Sequence, residues 1–276
     1  MVSFLKACVL ALFLAPLFAQ GPAALADEPL EALETADAVR AYQAVGRLDI
    51  GGTGFCTGTL VSMDLVLTAA HCLFDKRSGE RVRAQDITFK PGLRNGRAAA
   101  YRSIRRAAIH PDYTFGDPDT LHRVATDLAI LELAQPIRQS NITPLIVDQT
   151  PRWLNEVALV SYARDREEVP SLQSSCRVLE REEAVQVLSC DVDFGSSGAP
   201  VLAWLNGVPR VVSVISAKSL YKEERVALAV KVETAVEDLR GHLAETDGVF
   251  KREAPKVRTL TRDRAMQGAG AKFLRP

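Results

Sequence analysis

Little in this chain of 276 residues points to a highly charged or membrane-embedded partner. Lys plus Arg number 34 and Asp plus Glu number 34, a formal net charge of zero. No global field therefore draws the protein to nucleic acid or to an anionic surface. Histidines number only four, and neither Cys-x-x-Cys nor His-x-x-x-His spacing occurs. Nothing in the sequence thus marks a metal site, and no cofactor is expected. Long helical patterns alternating with strands are missing too, which argues against a parallel α/β sheet. What remains, at 47% hydrophobic and 25% charged residues, is the composition of an ordinary globular protein with one large β domain or two small ones. Oligomeric state is not legible.

The one extended apolar stretch lies at the N-terminus. Lys6 is the only charge before Asp27, residues 7–18 are apolar, and Pro16 breaks the run. It falls short of the roughly 20 residues a membrane span needs. Ala24-Leu25-Ala26 presents small residues at the two positions a signal peptidase reads. Residues 1–26 are expected to be a signal peptide, which makes the protein secreted or periplasmic with no stable span afterwards. An uncleaved anchor is the alternative. Residues 27–41 then form an N-terminal or pro-segment. Cys8 leaves with the signal, and Cys56, Cys72, Cys176 and Cys190 remain. Four cysteines in an exported chain imply two disulfides, with three pairings open.

From residue 42 the pattern is short strands and glycine turns. Ala44-Val45-Gly46-Arg47-Leu48, Thr59-Leu60-Val61, Leu65-Val66-Leu67-Thr68, Ile87-Thr88-Phe89, Ala99-Ala100-Tyr101, Ala107-Ala108-Ile109 and Leu128-Ala129-Ile130-Leu131 read as strands. After a linker near residue 140 a second series follows, around Leu159, Val178, Val187, Leu202, Val212 and Leu228. Two sets of about six strands suggest an all-β fold of two barrels. One helix is clear, residues 235–244 after a Thr234 cap, with Val236, Leu239 and Leu243 on one face. Residues 249–276 form a basic tail; from 251 onward eight Lys or Arg face only Glu253 and Asp263. Such a segment reads as solvated and disordered.

Three segments carry chemistry. Leu67-Thr68-Ala69-Ala70-His71-Cys72 delivers a histidine at the end of a buried strand, where the adjacent cysteine can staple its loop to Cys56. Thr126-Asp127-Leu128-Ala129-Ile130-Leu131 opens an apolar strand with an acid. Gly195-Ser196-Ser197-Gly198-Ala199-Pro200 holds a serine between glycines before another strand. A serine hydroxyl is a poor nucleophile at neutral pH and needs a base within hydrogen-bond reach. Histidine can take that proton near pH 7 and return it to a leaving amine. A buried carboxylate fixes the imidazole tautomer, and glycines let backbone N–H groups turn toward a developing oxyanion.

Together the three segments resemble the signatures of chymotrypsin-like serine proteases, in the same His, Asp, Ser order. Ile109-His110-Pro111-Asp112-Tyr113 also matches a segment found shortly before the aspartate. The resemblance covers residues 42–243 and implies two six-stranded antiparallel β-barrels with the active site in the cleft between them, plus a C-terminal helix. The protease domain would span residues 42–248. The resemblance assigns His71 as base, Asp127 as its orienting acid and Ser197 as nucleophile, with the backbone N–H groups of Gly195 and Ser197 as oxyanion hole. The order of residues 190–198 resembles the bacterial, glutamyl-endopeptidase-like branch, which favours the pairs Cys56–Cys72 and Cys176–Cys190.

The sequence also departs from the family. Ser196 stands where animal digestive members carry an aspartate that pairs with a new N-terminus after zymogen cleavage. Asp191 lies six residues before Ser197, where trypsin places an acid for basic substrates. Ile215 stands where a glutamate-specific member carries histidine, and Lys218 replaces a glycine. Asp191, Ile215, Ser216 and Lys218 are thus candidate substrate-binding residues. The expected function is an exported serine endopeptidase acting on protein or peptide substrates. The alternative is a non-catalytic homologue that binds a partner.

Overall fold

The computed structural model describes residues 27–52, 54–232 and 235–245. The expected signal peptide, the Thr234 cap and the basic tail lie outside the described residues. A two-residue strand β1 (Glu31–Ala32) and a short helix α1 (Ala36–Val39) come first. The first barrel follows, with β2 (Val45–Ile50), β3 (Gly54–Leu60), β4 (Leu65–Thr68), β5 (Ile87–Pro91), β6 (Arg102–Ile109) and β7 (Ala129–Leu133), closed in the order β2-β3-β4-β7-β6-β5. Helix α2 (Thr120–Ala125) interrupts it before β7. A two-residue β8 (Ile146–Val147) leads to the second barrel: β9 (Glu156–Ala163), β10 (Arg166–Arg181), β11 (Val185–Leu188), β12 (Pro200–Leu205), β13 (Val208–Tyr221) and β14 (Glu224–Lys231). Its strands run β10-β11-β14-β13-β12-β9, and β9 pairs back onto β10. Helix α3 (Ala235–Glu245) ends the described chain. The expected two barrels and terminal helix are therefore present.

Strand β9 shows why the second barrel reads as apolar throughout. Side chains alternate across a strand. Val157 and Leu159 enter the core of the second barrel, while Ala158, Val160 and Tyr162 enter a cluster shared with the first. Both faces are buried, so both parities are apolar. Tyr162 shows how a polar atom survives there: its hydroxyl donates to the Leu93 carbonyl of the other barrel at 2.9 Å. Helix α3 follows its expected periodicity. Val236, Leu239 and Leu243 are buried, and the helix packs back on β6 and β7.

Several local expectations need correction. Residues 99–101 are not a strand; β6 begins at Arg102 and absorbs the separately expected Ala107-Ala108-Ile109. Asp117 and Asp119 lie in the Gly/Pro loop that leads into α2. Asp119 caps α2, its carboxylate accepting from the Leu121 and His122 N–H groups. Residues 27–33 lie along the second barrel, where β1 pairs with β10 and Asp27 reaches Arg177 and Ser189, while Leu33 and Val39 enter the cluster shared with the first barrel.

Candidate active site

Strand β4 is fully buried at Val66, Leu67 and Thr68, and it ends in a single 3-10 turn, Ala70–Leu73, that carries His71. The Cys56–Cys72 disulfide ties this turn to β3, with Cα atoms 6.3 Å apart. Asp127 lies between α2 and β7 and is only 2% exposed. One carboxylate oxygen accepts the His71 backbone N–H at 2.8 Å, and the other meets His71 Nδ1 at 2.6 Å. The Ser216 hydroxyl donates to that second oxygen at 2.5 Å. In a neutral imidazole paired this way Nδ1–H donates to the carboxylate, which leaves Nε2 as the acceptor.

The serine turn is pressed against the end of β4. Gly198 has φ +81°, and a Cβ there would lie 2.1 Å from Thr68 Oγ1 and 2.2 Å from the Thr57 carbonyl oxygen. Only glycine permits this approach, which brings the turn three residues from His71. Thr57, on β3, bolts the two barrels together. Its N–H donates to the Ser197 carbonyl at 2.9 Å, its hydroxyl donates to the Gly195 carbonyl at 2.9 Å, and the same hydroxyl accepts the Tyr162 N–H at 3.1 Å. His71 and Ser197 line one cavity of about 200 Å³.

Backbone direction at Gly195 follows from its neighbour. The Phe194 carbonyl accepts the Arg164 N–H at 2.8 Å. In a trans peptide the next N–H points the opposite way, so the Gly195 N–H faces away from Arg164. Gly195 has φ +100°, and a side chain there would strike the Phe55 ring. Among the described residues neither the Gly195 nor the Ser197 N–H meets a protein acceptor.

A trypsin-like peptidase domain matches residues 52–208, more than half of the chain. The chain belongs to the trypsin-like peptidase family. This chain is 33% identical over 107 residues to human serine protease 56, covering 38% of this chain and 16% of that protein. It is 31% identical over 100 residues to a trypsin of Sarcophaga bullata, covering 35% of each. It is 27% identical over 167 residues to a glutamyl endopeptidase of Bacillus licheniformis, covering 58% of this chain and 48% of that protein. The chain thus spans less than half the length of the curated relatives it matches. A solved Glu endopeptidase, in complex with MPD, superposes with a TM-score of 0.63 at 18% identity, covering 79% of this chain and 98% of that one. That likeness shows the fold.

In this trypsin-like domain the expected pocket residues divide. Ser216 turns inward to Asp127, at an irregularity in the β13–β14 pairing between Ile215 and Ala217. Ile215 is buried among the apolar residues of the second barrel, yet Ile215, Ser216 and Lys218 all line the cavity of about 200 Å³ that holds His71 and Ser197. Asp191 and Lys218 do reach a cavity of about 520 Å³ beside the site, which Ser189, Val192, Asp193 and Arg225 also line. Lys218 Nζ donates to Asp193 at 2.6 Å, and this bond holds the Asp193 carboxyl below the usual carboxylate range. The cavity therefore carries both signs of charge.

Sequence reasoning missed the surroundings of Phe194. Arg164, Lys218 and Lys76 stand 4.3, 4.4 and 5.3 Å from its ring centroid, within cation–π range. It also missed a cavity of about 270 Å³ beside His71, lined by Tyr113, Phe115 and Arg123. Burial pushes the Tyr113 phenol pKa up, and the Asp127 carboxylate adds to that shift. These residues come from loops, α2 and β13, far apart in sequence, and only Tyr113 and Lys218 are marked in the sequence. The Cys176–Cys190 disulfide, with Cα atoms 5.1 Å apart, closes the segment before the serine turn. Among the described residues the one cluster of potential metal donors is Cys56, His71 and Cys72. Both sulfurs are in a disulfide, so neither is a thiolate ligand. No helix among the described residues is long and apolar enough to cross a membrane.

Proposed function

We propose that this chain is an exported serine endopeptidase that cleaves peptide bonds through an acyl-enzyme on Ser197. The observation that carries the reading is the two-point grip of Asp127 on His71, with Ser197 lining the same cavity. Ser197 Oγ attacks the scissile carbonyl carbon while its proton passes to His71 Nε2. Asp127 holds the ring in orientation and stabilises the imidazolium. The Gly195 and Ser197 N–H groups receive the oxyanion. The intermediate collapses as His71 gives its proton to the leaving amine. Water then attacks the acyl carbon, yields its proton to His71 and releases the acid, and the proton returns to Ser197 Oγ.

Substrate contacts are assigned to the 520 Å³ cavity, with Asp191 and Lys218 on its wall, and to the cavity of His71 and Ser197, which Ile215 and Ser216 line while the Ser216 hydroxyl supports the acid. Two disulfides and the Ala24-Leu25-Ala26 site support secretion or export to a periplasm. N-terminal sequencing of the mature protein should begin at Asp27. A fluorophosphonate probe tests the chemistry. The wild type should be labelled at Ser197, and Ser197→Ala should stay unlabelled with turnover reduced by roughly 10⁴-fold or more. A folded, unlabelled wild type would instead support the partner-binding homologue.

A further inference from the structure

Ser196 raises a question that the motif leaves open. Where digestive members carry a carboxylate, this chain has a short neutral side chain, and it is completely buried. Something else must hold the turn that carries Gly195 and Ser197.

The structure supplies a cation from the neighbouring hairpin. Arg166, the first residue of β10, directs its guanidinium under the turn. Nη1 donates to the Ser161 carbonyl at 2.8 Å and to the Ser161 hydroxyl at 3.1 Å, and Nη2 donates to Ser196 Oγ at 3.4 Å. Ser161 is itself fully buried on β9, and its hydroxyl lies 3.4 Å from Ser196 Oγ. On its other side Ser196 Oγ accepts the Asp193 N–H at 3.3 Å, and the Ser196 N–H donates to the Asp193 carbonyl at 2.9 Å. The turn is thus closed on itself and tethered through one hydroxyl to a cation on another strand.

Burying a guanidinium without a direct partner carboxylate is costly, so this arrangement has to be over-determined by its surroundings. Among the described residues no carboxylate lies in ion-pair contact with Arg166. Desolvation pushes its pKa down, while the nearby Asp191 and Asp193 push it back. Both of these acids belong to the segment leading into the turn. The planar fork of arginine, unlike an ammonium, can serve Ser161 and Ser196 at once.

We propose that Arg166 is a positioning residue that, through Ser161 and Ser196, holds the 193–197 turn with the Gly195 and Ser197 N–H groups aimed at the oxyanion. The site is then set by folding alone, and no cleavage that creates a new N-terminus is required to form it. This rests on the peptidase reading above.

The test uses the full mature chain with Arg166→Met, which keeps bulk without charge, and Arg166→Lys. For Arg166→Met, kcat should fall at least tenfold with KM changed less than threefold. Affinity for a peptidyl boronic acid, which mimics the tetrahedral intermediate, should fall by the same factor as kcat. Arg166→Lys should recover part of both. Hydrogen exchange at residues 190–199 should accelerate in Arg166→Met well below its melting temperature. A folded Arg166→Met with kcat and boronate affinity within twofold of wild type, or with unchanged exchange in that segment, overturns the proposal. If Arg166→Met does not fold, Ser196→Ala removes the acceptor and should show the same kcat-against-KM split. A wild type inert to the fluorophosphonate sinks the peptidase reading instead, and the exchange comparison alone then decides whether Arg166 orders the turn.

Discussion

Two threonines on one strand make opposite predictions for the same substitution. Thr57 and Thr59 both lie on β3, at 0% and 1% exposure, two residues apart on the same face. Threonine to valine keeps the shape and removes the hydroxyl. At Thr57 that hydroxyl donates to the Gly195 carbonyl and accepts the Tyr162 N–H. Its loss leaves two buried backbone groups unpaired, at roughly 1–3 kcal/mol each, so Thr57→Val should cost about 2–6 kcal/mol. At Thr59 the hydroxyl has no hydrogen-bond partner among the described residues. Thr59→Val therefore removes a buried polar atom that is already unsatisfied, and it should be neutral or stabilising by up to about 1–3 kcal/mol. Urea denaturation of both variants reads the difference as a separation of midpoints. Fluorophosphonate labelling adds a functional axis: Thr57→Val frees the Gly195 carbonyl and should slow labelling, while Thr59→Val should not. Equal midpoints for the two variants would refute the role given to Thr57 as the bolt between the barrels.

Outcomes are also expected for four further substitutions. Gly198→Ala forces a left-handed backbone on alanine and drives its Cβ into the Thr57 carbonyl; strain and overlap together should cost about 2–5 kcal/mol. Gly52→Ala has a similar φ of +74° with nothing within 4 Å, and its melting temperature should fall by the smaller amount due to backbone strain alone. Ser216→Ala removes a hydrogen bond to the buried Asp127 carboxylate; kcat should fall by roughly 10-fold to 100-fold and fold stability by about 1–3 kcal/mol. His110 has its pKa lowered, mainly by burial, with His122 and His242 adding to the shift and Asp112 and Asp238 opposing it. The folded state therefore resists a proton that the unfolded chain accepts. Stability should be full above the ordinary value of 6.5 and decline as pH falls below it. His110→Gln should flatten that decline in denaturation measured between about pH 7.5 and 5.

Legibility in the sequence followed locality. The strands around Leu48, Leu67 and Ile130 could be read because each pairs a short apolar run with a flanking turn. The His71, Asp127 and Ser197 segments could be read because each carries its residue beside a diagnostic neighbour. The hairpin pairings of cysteine emerged the same way, once the resemblance was on hand. What stayed hidden depends on chain folding back over long separations. Thr57 meets Gly195 across 138 residues, and Arg166 meets Ser196 across 30. Neither threonine nor arginine at those positions differs locally from a surface residue. The bond from Ser216 to Asp127 was hidden for a related reason: it lies across 89 residues, at the β13–β14 irregularity, and no residue pattern marks it.

The two disulfides have a consequence of timing. One anchors the turn bearing the proposed base, and the other closes the segment leading into the turn bearing the proposed nucleophile. In a thiol-rich cytosol both anchors stand open, and each of the two turns loses one of its tethers. Oxidation would then complete the bracing of the proposed base and nucleophile only after the chain leaves a reducing compartment.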